Sequence, residues 1–317
     1  MKLSNNTLTN LVHGAVYNKT VDKGYVVYYR CNKEQMEYLK LLNTFLYERT
    51  LFSASITIEF FTDADSFSFD YKCFTIGSKD SFDVYVGEML YKLISLDEVP
   101  EKGSIKVTLP KGNKRVVLYL PADLEVGIKN FQIDGKWKKI PKRKETLLCY
   151  GDSITHGYGS MKSSLTYINV MNRTMKYNVI NQALGGYWFD ENYIVPIEGV
   201  SPNKILISLG TNQLWSSDKY ERIDRFFAQL DKVYPNIPVF VITPIWRGDT
   251  EEGLELIKDL RDYLFNKLFN YSNITVVDGL TLVPHLDYFF MDRLHPNALG
   301  MEIYGNNVTK EMKKINN

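Results

Sequence analysis

The stretch Thr146–Gly157, TLLCYGDSITHG, is an apolar run that breaks at Gly151 and delivers a serine just after the break. Leu147–Tyr150 has no charged residue and reads as a strand buried on both faces. Similar runs follow at Asn178–Ala183, Lys204–Leu209, Val239–Ile242 and Ile274–Val277. Helical patterns lie between or after them at Tyr167–Met175, Tyr220–Tyr234, Glu251–Phe269 and Ala298–Ile315. Such alternation predicts a parallel sheet covered by helices on both faces. Ligands of such sheets bind beyond the carboxyl ends of the strands. Gly151–Asp152–Ser153, Gly185–Gly186, Gly210–Thr211–Asn212, Pro244–Ile245–Trp246–Arg247 and the loop carrying Asp292 and His295 are therefore expected to converge.

Upstream the pattern is different. YVVYYRC, Tyr25–Cys31, reads as a strand, and Lys33–Thr50 carries Met36, Leu39, Leu42, Phe45 and Leu46 at helical spacing. Short β-like runs follow at Ser55–Phe61, Phe67–Phe74, Phe82–Val86, Met89–Leu93, Ile105–Leu109, Val116–Leu120 and Val126–Ile133. Many alternate apolar and polar residues, which predicts a small antiparallel β-sandwich. The basic run Gly135–Glu145, GKWKKIPKRKE, reads as a solvated junction, dividing the chain into an accessory domain (1–141) and a second domain (142–317).

Composition narrows the function classes. At 317 residues the chain has room for about two domains of roughly 150 residues. Lys+Arg 38 against Asp+Glu 37 leaves +1, which gives no electrostatic reason to expect a nucleic-acid partner. The longest apolar stretches, such as Ile237–Trp246, reach about half of the roughly 20 residues a membrane helix needs, so no membrane partner is expected. The N-terminal residues lack the apolar core of a signal peptide, and Cys31, Cys73 and Cys149 form no C-x-x-C pair. A reducing, cytoplasmic location is the expectation. No H-E-x-x-H, phosphate-loop lysine or zinc-spaced Cys/His cluster is present, so neither metal nor cofactor is called for.

Ser153, at a strand-to-helix turn, can present its hydroxyl to the crevice; the plainer reading is a helix cap. A serine hydroxyl attacks a carbonyl only when a base takes its proton. His295, one of 4 histidines, follows Asp292 by three residues in D-R-L-H-P. If that stretch is a helical turn, both side chains share a face, and the carboxylate can fix the imidazole tautomer. Acyl transfer also needs donors where the carbonyl oxygen gains charge. The Asn212 side chain and the backbone N–H groups of Gly186 and Ser153 are the candidates. A lone D-x-x-H or Gly-Gly is ordinary, but here each falls at the end of a different strand in one ordered set.

GDSITHG, the N-x-x-x-x-G of NQALGG, GTN and DRLHP resemble the four sequence blocks of the SGNH, or GDSL-type, serine hydrolases. The resemblance covers roughly residues 145–317. It implies a flavodoxin-like three-layer α/β/α domain that hydrolyses esters without metal. Position by position it implies Ser153 as nucleophile, Gly186 and Asn212 as oxyanion donors, and Asp292 and His295 as the rest of a triad. Ile154 replaces the leucine of the family's nickname, and Arg293 stands where many members have glycine in D-G-L-H-P. The front half is similar to the jelly-roll-like β-sandwich ahead of the catalytic domain in some two-domain members, through YVVYYR, SITIEFF, SFDVYV and, beyond it, TPIWR.

The expected activity is hydrolysis of a short-chain, acetyl-type ester of a small molecule or carbohydrate through an acyl-enzyme. An acyltransferase using the same residues and a non-catalytic glycan-binding protein are the alternatives, and a homo-oligomer stays open. Trp188, Trp246 and Arg247 are candidate substrate-binding residues, with core packing and a surface ion pair as their plainer readings. His156 reads as a surface or supporting group, and His13 and His285 as structural. Gly157-Tyr158-Gly159 lacks the third glycine of a dinucleotide fingerprint, since Lys162 stands there. Thr155 rules out the G-x-S-x-G elbow of α/β-hydrolases.

Overall fold

The computed structural model describes residues 2–315. Runs rich in β-branched and aromatic residues form the front half's strands. They are β1 (Val12–His13), β2 (Tyr17–Val21), β3 (Tyr25–Tyr29), β4 (Thr57–Thr62), β5 (Ser66–Ile76), β6 (Ser81–Val86), β7 (Met89–Ser95), β8 (Lys102–Thr108), β9 (Lys114–Tyr119), β10 (Leu124–Ile133) and β11 (Trp137–Lys139). One antiparallel sheet runs β2-β3-β10-β5-β8; the other runs β1-β4-β9-β6-β7, with β11 also paired to β4. Alternate residues of both sheets, Phe60, Phe67, Phe69, Phe82 and Phe131 among them, fill the space between as one core. The expected sandwich is present.

Three helices accompany it: α1 (Asn5–Thr9), α2 (Lys33–Leu42) and α3 (Thr44–Thr50). The single helix expected over Lys33–Thr50 is broken at Asn43, whose backbone is extended (φ −164°). The Asn43 side chain accepts the backbone N–H groups of Phe45 and Leu46, capping α3, while its own N–H closes α2 on Leu39. The break turns α3 into a separate arm.

The back half has strands β12 (Thr146–Gly151), β13 (Asn178–Asn181), β14 (Lys204–Ser208), β15 (Val239–Ile242) and β16 (Ile274–Val277). All pair in parallel in the order β13-β12-β14-β15-β16. Counted within this half the order is 2-1-3-4-5, the flavodoxin-like arrangement, whose direction reverses beside β12. Helices α4 (Ser153–His156), α5 (Tyr167–Met175), α6 (Lys219–Val233), α7 (Glu251–Leu268) and α8 (Ala298–Ile315) complete it. On one face α6 and α7 bury Phe226, Leu230, Leu260 and Leu264 against Leu148, Tyr150, Ile205 and Ile207. On the other, α5 and α8 bury Ile168, Met171, Met301 and Tyr304 against Leu147, Cys149, Leu206 and Phe240.

Two further features depart from the sequence expectation. Met36 and Leu39 of α2 and Leu46 of α3 belong to the core that packs on the parallel sheet, not to the sandwich core. The basic run Gly135–Glu145 begins as a strand, with Trp137–Lys139 paired to Phe60–Thr62. Within that run the Arg143 side chain is largely buried on Glu59, at 2.7 Å. No helix among the described residues is long and apolar enough to cross a membrane.

Candidate active site

Ser153 opens α4 directly after β12, beside the strand where the sheet order reverses. Asp152 caps the helix, its Oδ1 accepting the Ile154 N–H at 3.0 Å. Burial raises the Asp152 carboxyl to about 7, against the backbone hydrogen bonds that lower it. The Ser153 hydroxyl lies 2.8 Å from His295 Nε2, and His295 Nδ1 lies 2.7 Å from Asp292 Oδ2. If Nδ1 carries the proton it donates to the carboxylate, leaving Nε2 free to accept the serine proton.

The Asp292–His295 pair does not form through a helical turn. Asp292 Oδ1 accepts the backbone N–H groups of Leu294 and His295, at 3.1 and 2.7 Å, so the side chain itself folds the loop. Burial raises the Asp292 pKa, but the hydrogen bonds from the His295 backbone and imidazole outweigh it and hold the carboxyl below its usual range. Arg293 occupies the left-handed region, φ +64°, where glycine is the favoured residue. Its guanidinium turns outward to Asp287 at 3.0 Å rather than into the pair.

The other face of the imidazole rests on the loop whose Gly-Tyr-Gly carried no assigned role. The Tyr158 ring meets the His295 ring edge-on at 4.7 Å. A Cβ on Gly159 would stand 3.0 Å from His295 Cβ and 2.7 Å from the Pro296 carbonyl, so the loop can close on the imidazole only with glycine there. Sequence spacing alone could not have shown this packing.

Gly186 has φ +79° and faces the cleft beside Gly185. Its N–H is taken up by no other described residue, which leaves a donor directed by the turn. Asn212 donates one side-chain N–H to the Tyr187 carbonyl at 2.8 Å, fixing the amide and leaving its second N–H unspent. Ser153, Gly186, Asn212, Asp292 and His295 all line one cleft of about 580 Å³. Asn181, which opens the Asn-to-Gly block, holds the Thr155 carbonyl at 2.9 Å and shapes the turn from within.

The three candidate substrate-binding residues are elsewhere. Trp246 is buried against Phe290 and His285. Trp188 packs on Tyr187 at the edge of the sheet core. Arg247 is buried and engaged by Asp249 at 2.7 Å and the Thr211 carbonyl at 3.1 Å, with its plane on the Trp215 ring. None of them lines the cleft. The front half supplies a wall of the cleft: Phe45, Glu48 and Arg49 from α3, Ile76 at the end of β5 with Gly77 and Ser78 after it, and Asp123 before β10.

His156 is no surface group. It is buried, its Nε2 donating to the Ala122 carbonyl at 3.0 Å, and Arg30 approaches Nδ1 at 3.4 Å. Burial, reinforced by Arg30, pushes its pKa well below the usual value, so it stays neutral with a fixed tautomer. Arg30, fully buried, carries no motif or spacing by which it could be singled out beforehand. Its guanidinium donates to the carbonyls of Phe52, Asn181, Ala183 and Arg49, at 2.6–2.8 Å. It ties the α3 arm to the loop that leads into Gly185–Gly186. Among the described residues no group of three or more His, Cys, Asp or Glu could hold a metal ion.

A family model described as GDSL-like lipase/acylhydrolase matches residues 149–303. The chain carries a GDSL-like lipase/acylhydrolase domain. Ser153, Gly186, Asn212, Asp292 and His295 all fall inside the matched span of this domain. A search of curated proteins finds no match. Among solved structures, the chain is similar to the salicylyl-acyltransferase SsfX3 from a tetracycline biosynthetic pathway, at 18% identity and TM-score 0.76, over 96% of this chain and 94% of that one. A family two carbohydrate esterase from Clostridium thermocellum, in complex with cellohexaose, matches at 17% identity and TM-score 0.66, over 96% and 98%. An acetyl xylan esterase from Butyrivibrio proteoclasticus matches at 15% and TM-score 0.59, over 84% and 91%. At these identities the likeness is one of fold, and it extends across both halves of the chain.

Proposed function

We propose that this protein is a serine esterase that removes a short acyl group, acetyl in the simplest case, from a small-molecule or carbohydrate ester. The observation that carries the reading is the unbroken chain from Ser153 Oγ to His295 Nε2 at 2.8 Å and from His295 Nδ1 to Asp292 at 2.7 Å, in the lining of the cleft.

In the first half-reaction His295 Nε2 takes the hydroxyl proton as Ser153 Oγ bonds to the ester carbonyl carbon. The carbonyl oxygen becomes an oxyanion facing the Gly186 and Ser153 N–H groups and the free N–H of Asn212. As the carbon–oxygen bond to the alcohol breaks, His295 returns the proton to the leaving oxygen. Water then repeats the sequence: His295 takes its proton, hydroxide attacks the acyl-enzyme, and Ser153 Oγ recovers the proton as the acid departs. Asp292 holds the imidazole tautomer throughout.

The test is hydrolysis of p-nitrophenyl acetate by three proteins. Wild type turns over, Ser153→Ala is inactive, and Asn212→Ala keeps the fold but loses about 10²–10³ in kcat. Full activity in Ser153→Ala would remove the mechanism.

A further inference from the structure

Arg49 lines the same cleft as Ser153, yet its guanidinium makes no hydrogen bond or ion pair with any described residue. What holds it is aromatic. The guanidinium carbon sits 4.2 Å from the Phe45 ring centroid and 5.0 Å from that of Phe52. Two rings thus fix the plane while the fork of N–H donors stays unspent. The group is close to the chemistry. Arg49 Nε and Ser153 Cβ lie 3.6 and 4.0 Å from the single point that a Cβ on Gly185 would occupy. The bare α-carbon of Gly185 therefore leaves an open path between cation and hydroxyl.

The acidic groups of the cleft form no ion pair with it, although the Asp123 carboxyl feels its charge. Asp123 is committed to the Ser78 N–H and hydroxyl, at 2.6 and 2.7 Å, and faces His156 at 3.5 Å. Glu48, next to Arg49 on α3, forms no ion pair with it. Arg247, a candidate for this task from its sequence position with an ion pair as its plainer reading, is already spent on Asp249 and Thr211. A half-buried guanidinium with no ion-pair or hydrogen-bond partner favours a ligand that brings one, and its planar fork matches the two oxygens of a carboxylate or phosphate.

We propose that Arg49 binds an anionic group of the substrate, so that the ester hydrolysed carries a carboxylate or phosphate within reach of the α3 arm. This specificity role rests on the reading of Ser153 as nucleophile. The anion can sit on either side of the ester bond, and matched probes separate the two. Phenyl acetate is neutral, 3-acetoxybenzoate carries its charge on the alcohol side, and monophenyl succinate carries it on the acyl side.

Wild type is expected to prefer one anionic ester over phenyl acetate by about tenfold to a hundredfold in kcat/KM, expressed mainly in KM. Arg49→Met and Arg49→Gln should each abolish that preference, and Arg49→Lys should restore part of it. An anionic-to-neutral ratio that is the same in wild type and Arg49→Met overturns the proposal, as does a loss equal for all three esters. Calorimetric binding of the matched amides (acetanilide, 3-acetamidobenzoate and succinanilate) gives a readout independent of turnover. Arg49-dependent binding of an anionic amide without ester hydrolysis would refute the esterase reading and leave the anion site standing. Ester hydrolysis with binding of all three amides indifferent to Arg49 would do the reverse.

Discussion

At the scale of single residues, the site is built from groups whose roles depend on what their backbone can do. Arg293 is the clearest case, because it holds φ +64° beside the Asp292–His295 pair while its side chain makes only an exposed contact with Asp287. A left-handed conformation costs a non-glycine residue about 1–2 kcal/mol, more than an exposed ion pair returns. Arg293→Gly is therefore expected to raise the unfolding free energy by about 0.5–1 kcal/mol after the added chain entropy of glycine, and the denaturant midpoint with it. A lowered midpoint would mean that the Asp287 contact outweighs the strain. Ser153, Gly186, Asn212, Asp292 and His295 were legible in the sequence because each follows a strand or loop that a local pattern marks. Arg30, Arg49 and Tyr158 were not, since an arginine bonded to four distant carbonyls and a ring set against a histidine 137 positions later leave no periodic trace.

At the scale of elements, hydrophobic patterning (continuous apolar runs for strands, helical spacing for helices) was enough to find the five parallel strands and α5 and α8, whose expected and observed bounds agree closely. It failed at Lys33–Thr50, where apolar spacing continues through a break that only the capping chemistry of Asn43 produces. It failed again at Trp137–Lys139, where lysines on an edge strand mimic a linker. The α3 arm, which carries Phe45 and Arg49 over Gly186 and Gly185, depends on that break. Asn43→Ala removes the acceptor of two N–H groups and should cost about 1 kcal/mol, lowering the melting temperature by about 2–4 °C. Asn43→Asp keeps the cap and should restore most of the loss. Equal melting temperatures for Asn43→Ala and wild type would show that packing alone holds the arm.

At the scale of the whole molecule, the halves share one cleft, and α2 and α3 join the core of the parallel sheet while the sandwich keeps a core of its own. They also meet around His13, which lines a polar cavity of about 30 Å³ with Arg143, Glu59 and, from the back half, Asn169 and Val179. Burial pushes the His13 imidazole down to about 4, with Arg143 adding to the effect and Glu59 opposing it. Arg143 donates to Nδ1 at 3.0 Å, which fits the neutral ring. The folded protein therefore takes up this proton later than the unfolded chain, and stability is lost as pH falls from about 6.5 towards 4. Melting temperature followed over that window should fall more steeply for wild type than for His13→Gln. The raised carboxyls of Asp80, Asp123 and Asp152 titrate with the opposite sign in both proteins and cancel in the difference. Identical slopes would remove His13 from the account. The most direct test of the nucleophile is intact-protein mass spectrometry after treatment with a fluorophosphonate, followed by peptide mapping. One adduct per chain on Ser153, absent in Ser153→Ala and slowed in His295→Ala, is the predicted result. No adduct on Ser153 in folded wild-type protein would contradict it.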